Sequence, residues 1–318
     1  MALAPRTLPI LMQRVIIAPA FFDQTDNKRM KIEILGSGGA TTTPRPFCEC
    51  RVCQQARAKG LPYSRMGPSY FIHGPNLLVD TPEEIGVMLN RSNIMHVEAA
   101  TYSHWHPDHT AGLRVFEAQQ VLWDWPRQNP ITTVYLAAQV AQDFEQWLAL
   151  KERADYLENH QQVIRQIRLA DGENFTINGL TVTPIKMAVG YVYAFLLTED
   201  QTNVLLVVDE LFEWIPPPNL PPIDLLILPA SLFEFDPFTG ERIIPANHPV
   251  LEVESTFTDS LDFIRQLKPK QTILSHIEEP FGFDYDDYGR LSQKLATEQP
   301  DLGPVSFAYD QWLVTIGE

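Results

Sequence analysis

The stretch Ser103-His104-Trp105-His106-Pro107-Asp108-His109 places three histidines and an aspartate within residues 104–109. It follows an apolar run over residues 97–102 and precedes a Thr110-Ala111-Gly112 turn. At the end of a strand, side chains two residues apart point to the same side, so His104 and His106 can serve one metal position. Asp108 and His109 lie where the chain bends into a helix and can reach a second position a few ångströms away. Imidazole and carboxylate donors suit zinc, manganese or iron, and two such ions held close together activate a bridging water. The competing reading is a polar loop of solvated histidines. Four ligand-type side chains at this spacing argue against it.

His-x-His-x-Asp-His after an apolar strand resembles the metallo-β-lactamase superfamily of metal-dependent hydrolases. The resemblance implies an α/β fold, a four-layer αββα sandwich with metals held by loops at one edge of its two sheets. It also implies further ligands. Residues 204–209 form a buried strand ending in Asp209, at the place of the bridging aspartate; a plain turn aspartate is the alternative. Residues 271–275 read as a strand that delivers His276, at the place of the last ligand. Asp80, after the strand at residues 77–80, takes the place of an aspartate that orients the histidines; as a helix N-cap it would serve Pro82-Glu83-Glu84 instead. The superfamily pattern expects one more histidine where this chain has Pro184-Ile185-Lys186-Met187-Ala188, and the thioether of Met187 is a poor ligand for zinc or manganese. The first position then keeps His104, His106 and a shared Asp209, and the second keeps Asp108, His109, His276 and Asp209. A weakly held first metal, or work with a single metal, is the consequence. His248, in Pro245-Ala246-Asn247-His248-Pro249, takes the role of a proton donor to a leaving group, as in some relatives, or is a structural loop histidine.

All three cysteines lie between Cys48 and Cys53, as Cys48-Glu49-Cys50-Arg51-Val52-Cys53. Such clustering suits a metal site in a reducing compartment better than a disulfide framework, and a structural zinc needs four ligands. The Cys-x-Cys-x-x-Cys insert resembles the subgroup that includes the phosphodiesterase of the carbon-phosphorus lyase pathway. In that subgroup the fourth ligand is a histidine three residues after the last catalytic-site histidine. Here that position is Glu279, whose carboxylate can also bind zinc. Ordinary reduced cysteines are the alternative.

A chain of 318 residues with 45% hydrophobic and 20% charged residues can bury a sizeable core. No apolar run has the length of a membrane span. The net charge of −16 argues against a nucleic-acid partner, which would call for clustered Lys and Arg. Residues 1–29 lack the features of a secretory signal and are read as an extension before a domain over residues 30–318. Residues 31–35 alternate like a strand and enter Gly36-Ser37-Gly38-Gly39, a turn that the superfamily resemblance implies lies at the active-site edge, where glycines let the backbone pass close to the metals. Strands are also expected at 69–72, 77–80, 131–136, 163–169, 180–185, 194–197 and 223–228, the three from 163 to 197 as an antiparallel set. Helices are expected over residues 138–157 and 258–267. Pro216-Pro217-Pro218-Asn219-Leu220-Pro221-Pro222 is a stiff connector, a structural loop rather than a partner-binding element.

Together these features predict a cytoplasmic metal-dependent hydrolase, and the subgroup resemblance implies a phosphodiesterase-like enzyme acting on a small phosphodiester, cyclic ones included. It would carry one or two catalytic zinc ions, with manganese or iron as substitutes, and one structural zinc at the cysteines. A homo-oligomer is compatible with the sequence. The alternatives are a degenerate binding protein of the same fold without turnover, an RNA 3′-end processing hydrolase, which the acidic balance disfavours, and a persulfide-oxidising iron oxygenase, which the Met187 substitution disfavours.

Overall fold

The computed structural model describes residues 29–118 and 131–316. The expected extension over residues 1–29 lies outside these apart from Arg29. Among the described residues, strands form two seven-stranded mixed sheets. The first sheet contains β1 (Lys31–Gly36), β2 (Ser69–His73), β3 (Leu77–Val79), β4 (Ala99–Thr101), β5 (Thr132–Leu136) and β6 (Ile164–Arg168) in spatial sequence. The second contains β7 (Phe175–Ile177), β8 (Leu180–Lys186), β9 (Tyr193–Glu199), β10 (Thr202–Leu206), β11 (Leu225–Pro229), β12 (Gln271–Ser275) and β13 (Val305–Phe307). The last strand, β14 (Trp312–Thr315), returns to the first sheet and pairs antiparallel with β1.

Period-two alternation divides the second sheet between two cores. Val204, Leu206, Leu225, Ile227 and Ile273 face the sandwich interior with Ile32, Tyr70 and Val79. Their chain neighbours Leu205, Leu226, Leu228 and Leu274 face the other way. There they meet Leu261 and Ile264 of the helix Phe257–Leu267, and Leu291 and Leu295 of the helix Tyr285–Glu298. On the far side of the first sheet, the helices Ile85–Arg91 and Ala138–Gln146 cover it with Ile85, Met88, Val140 and Phe144. The layers are therefore αββα, as the resemblance implied.

Two expectations are corrected. β6 does not join an antiparallel set with β8 and β9; it pairs parallel with β5 at the far edge of the first sheet. Its burial runs along one side only, and a solvated edge strand alternates in the same way as an antiparallel one. The helix expected over 138–157 breaks at Trp147, with Leu148 and Ala149 both at positive φ, before resuming as Leu150–Asp155. The turn stacks Trp147 on Trp105, with ring centroids 5.0 Å apart.

Candidate metal centre

The loops that leave the C-terminal ends of parallel strands carry the candidate ligands. β3 and β4 pair in register, Val79 opposite Thr101, so Asp80 and Ser103 emerge side by side. β10 and β12 flank β11 in parallel, so Asp209 and His276 emerge at one edge of the second sheet. The short helix Pro107–Thr110 turns Asp108 and His109 back toward them.

Side chains from these loops form two groups of potential metal donors, His104 with His106 and Asp209, and Asp108 with His109 and His276. Asp209 joins them: its Oδ2 lies 3.2 Å from His104 Nε2 and its Oδ1 3.4 Å from His276 Nε2. Asp108 Oδ2 lies 3.2 Å from His109 Nε2 and 3.9 Å from His276 Nε2. The Nε2 atoms of His104, His109 and His276 are buried, and although carboxylate oxygens lie near them none makes a well-aligned hydrogen bond. Buried ring nitrogens without well-aligned hydrogen bonds are costly, and a divalent cation among these donors would satisfy all three at once.

The opposite ring edges are held from behind. Asp80, buried at φ +62°, accepts from the Ser103 backbone N–H at 2.7 Å and from the Ser103 hydroxyl at 2.7 Å, and its Oδ2 lies 2.8 Å from His109 Nδ1. The Ser103 hydroxyl also lies 3.0 Å from His104 Nδ1. With Nδ1 of each ring engaged, Nε2 is the nitrogen turned inward, the way a carboxylate behind a histidine presets a ligand. A non-glycine residue in the left-handed region is a strained position kept where surrounding contacts enforce it. Asp80 therefore takes the orienting role. The N-cap reading is not realised: the helix at Ile85 begins with Glu84 at its cap position, without a side-chain cap bond.

Burial and the neighbouring carboxylates pull the histidines of the cluster in different directions. Burial disfavours charge on His109, yet Asp108 and Asp80 pull its pKa well above the ordinary imidazole value. Burial likewise opposes charge on His276, but Asp209 and Asp108 raise it to about 9. Asp108 is held far below the carboxylate range by His109 and His276 despite its burial. His104 moves the other way, because burial and the neighbouring His109 and His106 favour its neutral form. The carboxylates thus favour positive charge on His109 and His276, and a divalent ion held among the same donors would supply that charge in place of protons.

A cleft of about 360 Å³ opens beside Asp108, lined among others by Thr41, Thr42, Glu83, Glu84 and Pro107. At the other donor group, the Tyr191 ring lies 5.5 Å from that of His106 and 6.0 Å from that of His104. The glycine turn after β1 packs against the segment that carries His276: Gly39 N–H donates to Ile277 carbonyl at 3.1 Å. A Cβ on Gly39 would lie 2.0 Å from Glu278 Oε1, which accepts from Ala40 N–H at 2.9 Å.

The second cluster is the cysteine site. Glu279 Oε1 lies 3.4 Å from Cys48 Sγ, 2.8 Å from Cys50 Sγ and 3.0 Å from Cys53 Sγ. All four side chains form one group of potential metal donors, and the cysteines make no disulfide. Glu279 is pressed down to about 2 by hydrogen bonds from the thiols and Arg45, which outweigh its burial.

Residues 75–277, well over half of the chain, match the family described as beta-lactamase superfamily domain. The chain belongs to this superfamily. Solved structures of the fold align with most of its length. A diphosphatase described as new, from the PhnP family, shares 22% identity over 90% of this chain and 97% of its own, with a TM-score of 0.65. The metallo-beta-lactamase fold protein YhfI from Bacillus subtilis shares 17% identity over 90% of this chain and 99% of its own, with a TM-score of 0.60. Zn(2+)-bound PqqB from Methylobacterium extorquens shares 15% identity over 89% of this chain and 99% of its own, with a TM-score of 0.61. At such identities the likeness is one of fold. Comparison with curated proteins gives no match.

The structure brings together the six His and Asp residues expected at the superfamily's metal edge, and separately Cys48, Cys50, Cys53 and Glu279. It does not bring His248 to either group. That residue is exposed, and its Nδ1 accepts from Val250 N–H at 3.2 Å, capping a short 3-10 turn. Met187 is buried in the apolar core between the second sheet and its helices, with Val192, Ala194 and Val207. Ser103, Glu278 and Arg45 also take places at these clusters that no ligand-type pattern in the sequence marks. A hydroxyl directly before the first histidine was the available signal for Ser103; Glu278 and Arg45 owe their places to tertiary contact alone. No helix among the described residues is long and apolar enough to cross a membrane.

Proposed function

We propose that this chain is a metal-dependent hydrolase that cleaves a small phosphodiester, joining the oxygen of water to phosphorus as the bond to the leaving alcohol breaks. The observation that carries the reading is Asp209, whose two carboxylate oxygens face the separate groups led by His104 and His276. His104, His106 and Asp209 would hold one divalent ion, and Asp108, His109, His276 and Asp209 a second. Zinc, manganese and iron all suit this donor set. When bound, such ions polarise phosphoryl oxygens and lower the pKa of water toward neutrality.

The chain's own residues preset the geometry. Asp80 and Ser103 fix the inward Nε2 of His109 and His104. The cleft beside Asp108 is of a size for one small group of the substrate. The net charge of −16 disfavours a polyanionic nucleic acid. The cysteine cluster with Glu279 takes one structural zinc ion, and three unpaired cysteines fit the reducing cytoplasm.

Met187, packed in the core, supports a second reading, a binding protein of this fold without turnover. Hydrolysis of bis(p-nitrophenyl) phosphate separates the two. Protein stripped with chelator and resupplied with zinc or manganese is expected to release p-nitrophenol only in the presence of metal, and Asp108→Ala to abolish that release. Absence of metal-dependent release from the unaltered chain would overturn the enzymatic reading in favour of binding.

A further inference from the structure

Metal binding displaces the thiol protons, and a divalent ion at the cysteine cluster would then face more negative charge than it can balance. Three thiolates and the Glu279 carboxylate bring four negative charges to one point, so a bound zinc ion would leave two in excess. Glu279 is buried, with its side chain 1% exposed. Only one of its oxygens is turned to the thiols: Oε1 meets all three sulfurs. Oε2 accepts from Arg45 Nε at 2.8 Å. The same guanidinium extends NH2 to within 3.5 Å of Cys48 Sγ, and the Arg45 backbone N–H donates to Cys53 Sγ at 3.2 Å. Arg57 braces the loop that presents Arg45, donating to the carbonyls of Cys48 and Arg45.

We infer that Arg45 is the charge-balancing and positioning residue of a zinc site made by Cys48, Cys50, Cys53 and Glu279. This rests on the reading that the cluster takes zinc. Arg45 performs two tasks at once. It cancels one of the surplus negative charges, and by occupying Oε2 it leaves Oε1 as the single carboxylate donor, completing a four-donor set. A planar guanidinium can bond a carboxylate and a sulfur from one fixed fork; an ammonium group supplies the charge without that geometry. A neutral imidazole in place of Glu279 would cut the surplus from two negative charges to one and remove the oxygen that Arg45 orients, and so reduce the dependence on Arg45.

That dependence defines the test. Cobalt(II) substituted into the full-length protein reports the site through thiolate-to-cobalt charge-transfer absorption, a signature that the His and Asp groups, which contain no sulfur, cannot produce. Titrating a competing chelator while following this band measures affinity at the cysteine site alone. Arg45→Gln is expected to weaken cobalt retention by about tenfold, and Arg45→Lys to fall between it and the unaltered chain. In a Glu279→His background, where one surplus charge remains, Arg45→Gln is expected to weaken retention by only about threefold. Equal retention with and without Arg45 in the Glu279 chain would overturn the inference. So would an equal loss in both backgrounds, which would mark Arg45 as a general support of the loop. A charge-transfer band missing from the unaltered chain would overturn the zinc reading of the cluster and the inference with it, while leaving the hydrolase reading to its own test.

Discussion

The two oxygens of Asp209 face different histidines, Oδ2 at 3.2 Å from His104 Nε2 and Oδ1 at 3.4 Å from His276 Nε2. One carboxylate thus couples a loop of the first sheet to two loops of the second. Asp209→Ala is expected to impair both donor groups together. Its effect on metal-dependent turnover should exceed the roughly 10–100-fold that loss of an outer-shell partner costs. Steady-state assay and metal content of the variant check this; retention of both ions would show that Asp209 does not bridge.

Asp80 acts at one remove, through His109 Nδ1 and the Ser103 hydroxyl. Asp80→Asn keeps the volume and removes the charge, and is expected to lower metal affinity or activity by about 10–100-fold. Isothermal titration of the stripped protein with zinc measures the affinity directly. An unchanged affinity would leave Asp80 a purely structural residue.

Gly39 and Glu278 occupy touching space, since a Cβ on Gly39 would lie 2.0 Å from Glu278 Oε1. Gly39→Ala should expel the carboxylate from the Ala40 N–H at a cost of about 1 kcal/mol, the net worth of one hydrogen bond. Because both changes break the same contact, Gly39→Ala combined with Glu278→Ala should destabilise little more than either alone. Denaturant unfolding of the three variants tests this; additive losses would contradict it.

Asp310 supplies a pH dependence away from the metal donors. It is buried and accepts from Ser37 N–H, the Ser37 hydroxyl and Met66 N–H, and burial pushes its carboxyl up to about 6 despite those bonds. An unfolded aspartate titrates near 3.9. The folded state therefore holds this proton more tightly, and the contribution is fully present below about pH 4 and lost as pH rises through 6. The change amounts to about 3 kcal/mol at most. Unfolding free energies of the unaltered chain minus those of Asp310→Asn should fall between pH 4 and 6 and level off above about 7. A difference that is flat with pH would contradict the assignment.

His248 stands apart from both donor groups, exposed and capping its own turn. A general acid contributes about 10²–10⁴-fold to turnover. From its placement, His248→Ala is expected to change kcat less than about threefold. A loss within the general-acid range would return it to the proton-donor role.

The donors were legible in the sequence because they sit at strand ends, where a local apolar run and the residue after it reveal both the element and its direction. His104, Asp209 and His276 all follow such runs. Pairing was not legible. β6 joins β5 in parallel and β14 closes against β1 from the far end of the chain, and strand partners depend on contacts that no local pattern encodes. The orienting shell was half visible. Asp80 had two readings, and its contacts with Ser103 and His109 decide between them. The break at Trp147 was hidden because the apolar spacing continues across it, while the backbone at Leu148 and Ala149 turns left-handed. Arg45 and Glu279, 234 residues apart, meet only when the insert after β1 folds against the segment after β12.

Metal content per chain, measured by mass spectrometry on protein purified without chelator, tests the central claim most directly. Two firmly held ions are predicted, one at Asp108, His109, His276 and Asp209 and one at the cysteines with Glu279, with a third retained at His104, His106 and Asp209 when the buffer contains metal. A Cys48→Ser, Cys53→Ser variant should lose one ion and keep the others. A chain that holds at most one ion, and none once those cysteines are replaced, would contradict the account.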